Sequence, residues 1–362
     1  MTPENRHKPR LGFVGPMTGH NPGCVTTQGE ILTRLFEKEG YEVKSFSSVK
    51  NRYRRLFDKA LKIWRYHKEI DIFTFHIFSG ASFIPHDITT KFAKLFHIPQ
   101  IFMLHGGNLP DFCRRSPNWC RRVLNRADRI VAPSEFLARH FRSLGYQIEV
   151  IPNVVDIRTY HFRARRSLKP KLFWMRSFHK IYNPCMAIHT LAKLRARYPD
   201  ASLVMAGPDK GMEKEVKALA VKMGLGEVVR FSGFLDNAKK NREAGLADIY
   251  INTNHIDNMP VSVIEACAMG LPVVATNVGG IPDLLTDNQT GLLVPDNDDQ
   301  AMAEAVIKLL EDRELAARLS LNGRRLAESF AWENVLPKWE KLFSEVLGQR
   351  QSSSNDVSAQ PR

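Results

Sequence analysis

One short stretch, Asp257-Asn-Met-Pro260-Val-Ser-Val-Ile-Glu265, brings together residue types that suit an anion and a pair of hydroxyls. Residues 247–252 before it form a short apolar run of the kind that makes a buried strand. Pro260 suits the first position of a helix, because its fixed φ matches and its missing N–H has no partner there. That helix runs through Glu265 and stops at Gly270, a natural left-handed cap. Residues 272–276 make the next buried strand, and Gly279-Gly280 opens the turn after it. A helix start offers unpaired N–H groups and about half a positive charge, which together attract an anion. Glu265, five residues past Pro260, reaches back toward a ligand held there. Pyrophosphate on the N–H groups and ribose hydroxyls on the carboxylate would describe a sugar nucleotide. A plain βαβ unit with a surface glutamate satisfies the same pattern.

The stretch also resembles a family, the retaining glycosyltransferases of GT4, which have the two-domain GT-B architecture. These carry a Glu, seven residues, a second Glu, then Ala-x-Ala-x-Gly-x-Pro-Val and a Gly-Gly turn. Glu265 and the residues up to Val274 match the second half, and Asp257, one carbon shorter, stands in the place of the first Glu. The resemblance implies that Glu265 holds the ribose hydroxyls and that Asp257 contacts the donor sugar. It gives the leaving diphosphate to the backbone of Asn258, Met259, Pro260 and Val261 and to two cations. Those are Arg176, at the end of the apolar run 171–176, and Lys180, one residue closer than the family spacing. Preorganised cations and N–H dipoles would stabilise charge as the diphosphate departs. Phe234, after Gly233, falls where the family holds the base, though a core Phe fits as well.

In the first half, 11–15 reads as a strand, 16–27 as a glycine-rich loop and 28–39 as a helix. Gly12, Gly15, Gly19 and Gly23 do not fit GxGxxG, which counts against a simple dehydrogenase. The resemblance places Gly23 near the donor phosphates and the acceptor. His105, ending the apolar run 98–105 before two glycines, faces the crevice where such folds bind ligands. The resemblance puts it near the donor sugar and the acceptor. His76 lies within a run that continues past it and reads as a core residue. Ser134 reads as a helix N-cap. Asp296-Asn-Asp298 has the form of a metal-binding DxD, but it precedes a helix and is read as a cap.

These elements imply two α/β domains. The expected fold is GT-B, two Rossmann-like doubly wound domains facing across a cleft. The first domain would span 1–155 on the acceptor side and the second, the donor domain, 156–330. A helix over 331–347 would return to the first domain, and 351–362, polar throughout, would be a disordered tail.

Of the +14 net charge, residues 1–155 carry most, with 24 Lys and Arg against 13 Asp and Glu. Such a half implies an anionic partner. Two regions suit an anionic membrane surface. From Arg52 to Lys68, Phe57, Leu61 and Trp64 share one helix face while Arg55, Lys59 and Lys62 share another. From Arg114 to Arg122, four arginines surround Trp119. An ordinary amphipathic helix packed on the sheet fits the first region equally. The five cysteines are scattered with no CxxC pair, which suits reduced thiols. No apolar leader and no run of about 18 apolar residues is present, so the expected location is cytoplasmic, or peripheral on the inner face of the cytoplasmic membrane.

The function expected is transfer of a sugar from a UDP- or GDP-sugar to an acceptor hydroxyl with retention, in cell-envelope or exopolysaccharide synthesis. No cofactor or metal is required, and the partners are the nucleotide sugar and a glycan or lipid-linked acceptor, with no nucleic acid. The rivals are a GT-B-type epimerase and a non-catalytic basic protein that binds lipid or nucleic acid.

Overall fold

The computed structural model describes residues 8–17, 19, 26–46, 49 and 52–358. It divides into two compact units, one comprising the chain up to Val154 and from Trp332 on, the other Val155 to Ala331.

In the first unit, strands β1 (Leu11–Val14), β2 (Val43–Phe46), β3 (Ile72–Ile77), β4 (Gln100–Leu104), β5 (Arg129–Ala132) and β6 (Ile148–Val150) form one sheet in the order β2-β1-β3-β4-β5-β6. All its pairs are parallel. Every residue of β1, β3 and β4 is buried, as helices on both faces of a parallel sheet demand. The helices are α1 (Gln28–Lys38), α2 (Arg52–Tyr66), α3 (Phe83–Lys94), α4 (Leu109–Arg115), α5 (Pro117–Leu124) and α6 (Glu135–Ser143).

The second unit repeats the plan with β7 (Lys171–Met175), β8 (Ser202–Ala206), β9 (Val229–Gly233), β10 (Ile249–Asn252), β11 (Val273–Thr276) and β12 (Leu292–Val294). Their order is β12-β11-β10-β7-β8-β9, again wholly parallel. Its helices are α7 (Pro184–Arg195), α8 (Glu213–Lys222), α9 (Asn237–Leu246), α10 (Val261–Ala268), α11 (Ile281–Leu284), α12 (Asp299–Glu311) and α13 (Arg313–Glu328). The chain direction across each sheet reverses once, between β1 and β3 in the first unit and between β7 and β10 in the second. Open α/β sheets bind ligands beyond the strand carboxyl ends at such a switch point.

The last helix, α14, runs from Trp332 to Ser358. Its Trp332, Trp339 and Phe343 surround Phe36 of α1, with ring centroids 4.9, 6.2 and 5.5 Å away. The expected disordered tail was 351–362; the helix as described extends through 351–358, and 359–362 lie outside the described residues.

Helix α2 corrects a second expectation. Lys59, grouped with Arg55 and Lys62 on the basic face, is 3% exposed beside the fully buried Ile63. Phe57, Leu61 and Trp64 point outward at 72%, 49% and 61% exposure. Neighbouring α3 also leaves Ile84 and Ile88 exposed. Trp119 of α5 is not part of this surface. It is half-buried, packs on Phe83 and donates from Nε1 to Asp87 at 2.7 Å.

Candidate active site

The carboxyl ends of β7 and β10 gather most of the residues singled out in the second unit. Arg176 follows β7, and its Nη2 pairs with the Oδ2 of Asp257. Its guanidinium lies over the Tyr182 ring, 4.0 Å from the centroid, and its Nη1 is 3.5 Å from Ser262 Oγ. Its Nε is buried with no partner among the described residues. Burial disfavours the charge on Arg176, but Asp257 and the nearby tyrosines overcome this and raise its pKa above the ordinary arginine value.

Asp257 is held from three sides. Asn254 Nδ2 donates to its Oδ2 at 2.7 Å, the Asn258 N–H donates to its Oδ1 at 2.8 Å, and its carbonyl accepts from Gly280 at 2.9 Å. Beneath lies a buried polar floor. Thr276 Oγ1 donates to the Asn254 carbonyl at 2.6 Å, and Trp174 Nε1 donates to Thr253 Oγ1 at 2.9 Å.

Two glycines make this packing possible. Gly207 has φ +145°, and a Cβ there would sit 1.8 Å from the Arg176 carbonyl oxygen. Gly279 has φ +56°, and a Cβ there would sit 2.1 Å from the Asp257 carbonyl oxygen. Gly279→Ala therefore should cost about 1–2 kcal/mol for the left-handed backbone alone. This would lower Tm by roughly 2–8 °C and weaken nucleotide binding with it. Calorimetry of the variant checks this, and an unchanged Tm would show that the turn tolerates a side chain.

Helix α10 starts beside Asp257. Pro260 is its N-cap (φ −69°, ψ 106°), one position earlier than the sequence suggested. The cap carbonyl accepts from Val263 at 3.0 Å, while the N–H groups of Val261 and Ser262 open the helix without intrahelical acceptors. The helix closes as a Schellman motif, with Leu271 N–H bonded to Ala266 O at 3.0 Å and Gly270 N–H to Cys267 O at 2.9 Å. Asn258 and Met259 are buried, and Glu265 is 7% exposed. Glu265 Oε1 accepts from Tyr160 Oη and from Lys240 Nζ, each at 2.7 Å. Burial and this carboxylate raise the Tyr160 pKa, so its proton stays in the bond. The sequence reading missed Tyr160 and Lys240. The available signal was that a lone carboxylate on an otherwise uncharged, buried helix needs a cation, but nothing in spacing identifies the donor.

Lys180 and Phe234 stand apart. Lys180 is exposed on the 3-10 turn Lys180–Tyr182, whose Tyr182 carries Arg176. Phe234 is 39% exposed after β9, so it is not a core residue. Asp298 caps α12 by accepting from Ala301 N–H at 2.8 Å, while Asp296 bonds His255 Nδ1 at 2.8 Å. Among the described residues, no three His, Cys, Asp or Glu are grouped to hold a metal ion.

In the first unit, His105 follows β4 and lines a pocket of about 240 Å³ with Gly15, Met17, Thr27, Gly29 and His76. Gly23 lies outside the described residues. His76, read as core from sequence, is buried but reaches the pocket, and its Nδ1 is 2.8 Å from His105 Nε2. A continuing strand does not keep a side chain from the carboxyl edge when the next strand ends beside it. Burial lowers the His105 pKa to about 4 and those of His76 and His86 well below the ordinary 6.5. Below about pH 6.5 the unfolded chain takes up protons that these folded rings refuse, so their contribution is full above that pH and is lost as pH falls toward 4. Tm should thus decline between pH 6.5 and 5, and less steeply in His86→Leu. Equal slopes for both proteins would contradict the assignment.

Residues 157–326 match the family model of glycosyl transferases group 1, and residues 17–159 match that of glycosyltransferase family 4. The chain belongs to these glycosyltransferases. The glycosyltransferase is 25% identical over 282 residues to N-acetyl-alpha-D-glucosaminyl L-malate synthase of Bacillus anthracis, a match covering 73% of each protein. It spans about half the length of several other curated relatives, among them phosphatidyl-myo-inositol mannosyltransferase of Mycolicibacterium smegmatis. Its fold is GT-B. It matches sucrose-phosphate synthase from Thermosynechococcus elongatus with TM-score 0.81 at 17% identity, over 94% of this chain and 100% of the other. It matches Anabaena HepE in complex with UDP-glucose with TM-score 0.73 at 18% identity, over 93% and 100%.

Proposed function

We propose that this glycosyltransferase moves a sugar from a nucleotide diphosphate-sugar to an acceptor hydroxyl with retention of configuration, in the synthesis of an envelope or exported glycan. The observation that carries the reading is the meeting of Arg176, Asp257 and the open start of α10 at one sheet's switch point, with Glu265 on the same helix. Diphosphate would lie on the Val261 and Ser262 N–H groups and Arg176, with Lys180 as a second cation. Both protein bonds to Glu265 end on Oε1, which leaves Oε2 for the ribose hydroxyls. Asp257 would contact the donor sugar, Phe234 the base, Gly23 the donor phosphates and acceptor, and His105 the sugar or acceptor. HepE, a neighbour in fold, was solved with UDP-glucose, which favours a uridine donor.

In the proposed step the bond from the anomeric carbon to the diphosphate oxygen breaks, and its electron pair leaves with the diphosphate. The acceptor oxygen bonds to that carbon on the same face, and its proton passes to the departing phosphate. Arg176 and the helix dipole take the developing charge, so the reading needs no metal. The deciding experiment incubates the protein with UDP- and GDP-sugars and follows nucleotide release with and without EDTA. NMR of a glycoside product reads the configuration. A product of inverted configuration would overturn retention, and release of no nucleotide from any donor would overturn the donor class.

The proposed location is the inner face of a membrane. No described helix is long and apolar enough to cross one. The outward Phe57, Leu61 and Trp64 of α2, extended by Ile84 and Ile88 of α3, are flanked by exposed Arg54, Arg65 and Lys68. Apolar side chains rimmed by cations fit an anionic bilayer. The exposed Arg121 and Arg122 of α5 would add charge only. Sedimentation with anionic vesicles should fall at least about tenfold in Phe57→Ser/Leu61→Ser/Trp64→Ser, each lost side chain removing about 1.5–3 kcal/mol of burial. Equal sedimentation of both proteins, or equal binding to neutral vesicles, would refute it.

A further inference from the structure

The pair His76–His105 has a feature that the transfer reading does not use. The two rings are nearly parallel (14°, centroids 5.0 Å apart) and joined by one hydrogen bond, His76 Nδ1 to His105 Nε2 at 2.8 Å. Phe78 covers the other side of His105, 4.8 Å between centroids and again at 14°. The His105 backbone is tied to β3 by its N–H to the Ile77 carbonyl at 2.8 Å. With Nε2 engaged, Nδ1 is the nitrogen that His105 can turn to the pocket.

A single hydrogen bond between two neutral imidazoles allows two proton arrangements. In one, His105 Nε2–H donates to His76, and the His76 proton must then sit on Nε2. In the other, His76 Nδ1–H donates to His105, His76 Nε2 is bare, and His105 carries its proton on Nδ1. The surroundings of His76 Nε2 decide between them. That atom is buried with no partner among the described residues. A Cβ added at Gly29 would lie 3.0 Å from it, so Gly29, which has no side chain to accept a proton, packs against this nitrogen. Gly15 closes the other side, where a Cβ would lie 3.1 Å from His76 Cβ. A buried donor without an acceptor is rarer and costlier than an under-used acceptor. The second arrangement therefore prevails.

We propose that His76 is a positioning residue that fixes His105 as its neutral Nδ1–H tautomer, so that His105 offers a hydrogen bond to a substrate oxygen and does not accept the acceptor's proton. This rests on the reading that His105 meets the substrate. Burial opposes protonation of both rings, and for His76 the nearby His105, His86 of α3 and Lys59 of α2 add to it. The pair thus stays neutral across the working pH range, and the choice of tautomer is left to the hydrogen bond.

The test uses the full chain with 15N-labelled histidine, in long-range 1H–15N spectra near pH 7. His105→Gln identifies the His105 signals among the 12 histidines. The expected pattern is a protonated Nδ1 and a bare Nε2 on His105. In His76→Leu that pattern should collapse toward a tautomer mixture. In His76→Asn, whose amide can donate to His105 Nε2, it should return. Transfer should follow, with kcat/KM down about tenfold in the Leu variant, as loss of one hydrogen bond predicts, and largely rescued in the Asn variant. A proton on His105 Nε2 in the wild type overturns the proposal, as does a His105 pattern unchanged in His76→Leu. If the Leu variant fails to fold, the wild-type and Asn spectra still decide. If the spectra agree but His105→Gln transfers at full rate, the tautomer stands and the substrate role of His105 falls.

Discussion

Arg176→Ala should lower kcat by about 10²- to 10³-fold, the effect of removing one preorganised donor from a developing negative charge. Arg176 is positioned for this before any ligand arrives. It lies on Tyr182, its backbone N–H bonds Ala206 at 3.0 Å, and Gly207 presses against its carbonyl. The cost of holding the side chain is thus met in folding and not during the reaction. The Ala variant also leaves Asp257 without its cation beside the helix start, where a carboxylate competes with diphosphate. The double variant Arg176→Ala/Asp257→Asn separates the two effects, because repulsion vanishes there while lost stabilisation does not. Arg176→Lys should fall between, since it keeps charge but loses the flat contact with Tyr182. Steady-state kinetics with a saturating donor decides the matter. A kcat within about threefold of wild type in a folded Arg176→Ala protein would remove Arg176 from the leaving-group role.

Glu265→Ala should weaken nucleotide binding by about 10- to 100-fold, from the loss of hydrogen bonds to a charged acceptor worth about 1.5–3 kcal/mol. A competing effect must be separated here too. Glu265 is the partner of Lys240 and Tyr160, so its removal strands a partly buried ammonium. Lys240→Met in the Glu265→Ala background should recover thermal stability without recovering affinity. Calorimetric titration with the free diphosphate nucleotide gives the binding term, and thermal unfolding gives the stability term. Full recovery of affinity in the double variant would mean that Glu265 only organises Lys240 and does not touch the ligand.

Much of this was legible in sequence. Buried parallel strands read as unbroken apolar runs, so β4, β10 and β11 could be placed, each within a residue or two. Glycine and proline marked both ends of α10, since the fixed φ of proline suits a helix start and the freedom of glycine suits the left-handed cap. Helix α2 was harder. Its apolar stripe was clear, but an apolar stripe does not say whether it faces the core or the outside. That depends on which neighbours remain to cover it, and here Lys59 and Ile63 took the inner side.

The sequence by itself determined two α/β units, the strand-to-helix turn that offers an anion site, and the chemical types of Arg176, Asp257 and Glu265. Those follow from unbroken apolar runs, from turn chemistry and from charge, all of which are local. Only the tertiary structure decided the strand orders that bring β7 beside β10 and β1 beside β3. With those orders came the Arg176–Asp257 pair, the Tyr160 and Lys240 contacts to Glu265, and the bond between His76 and His105. Each joins residues 25 to 105 positions apart. No local preference encodes such a pairing, because it is fixed by the packing of whole strands and helices against one another.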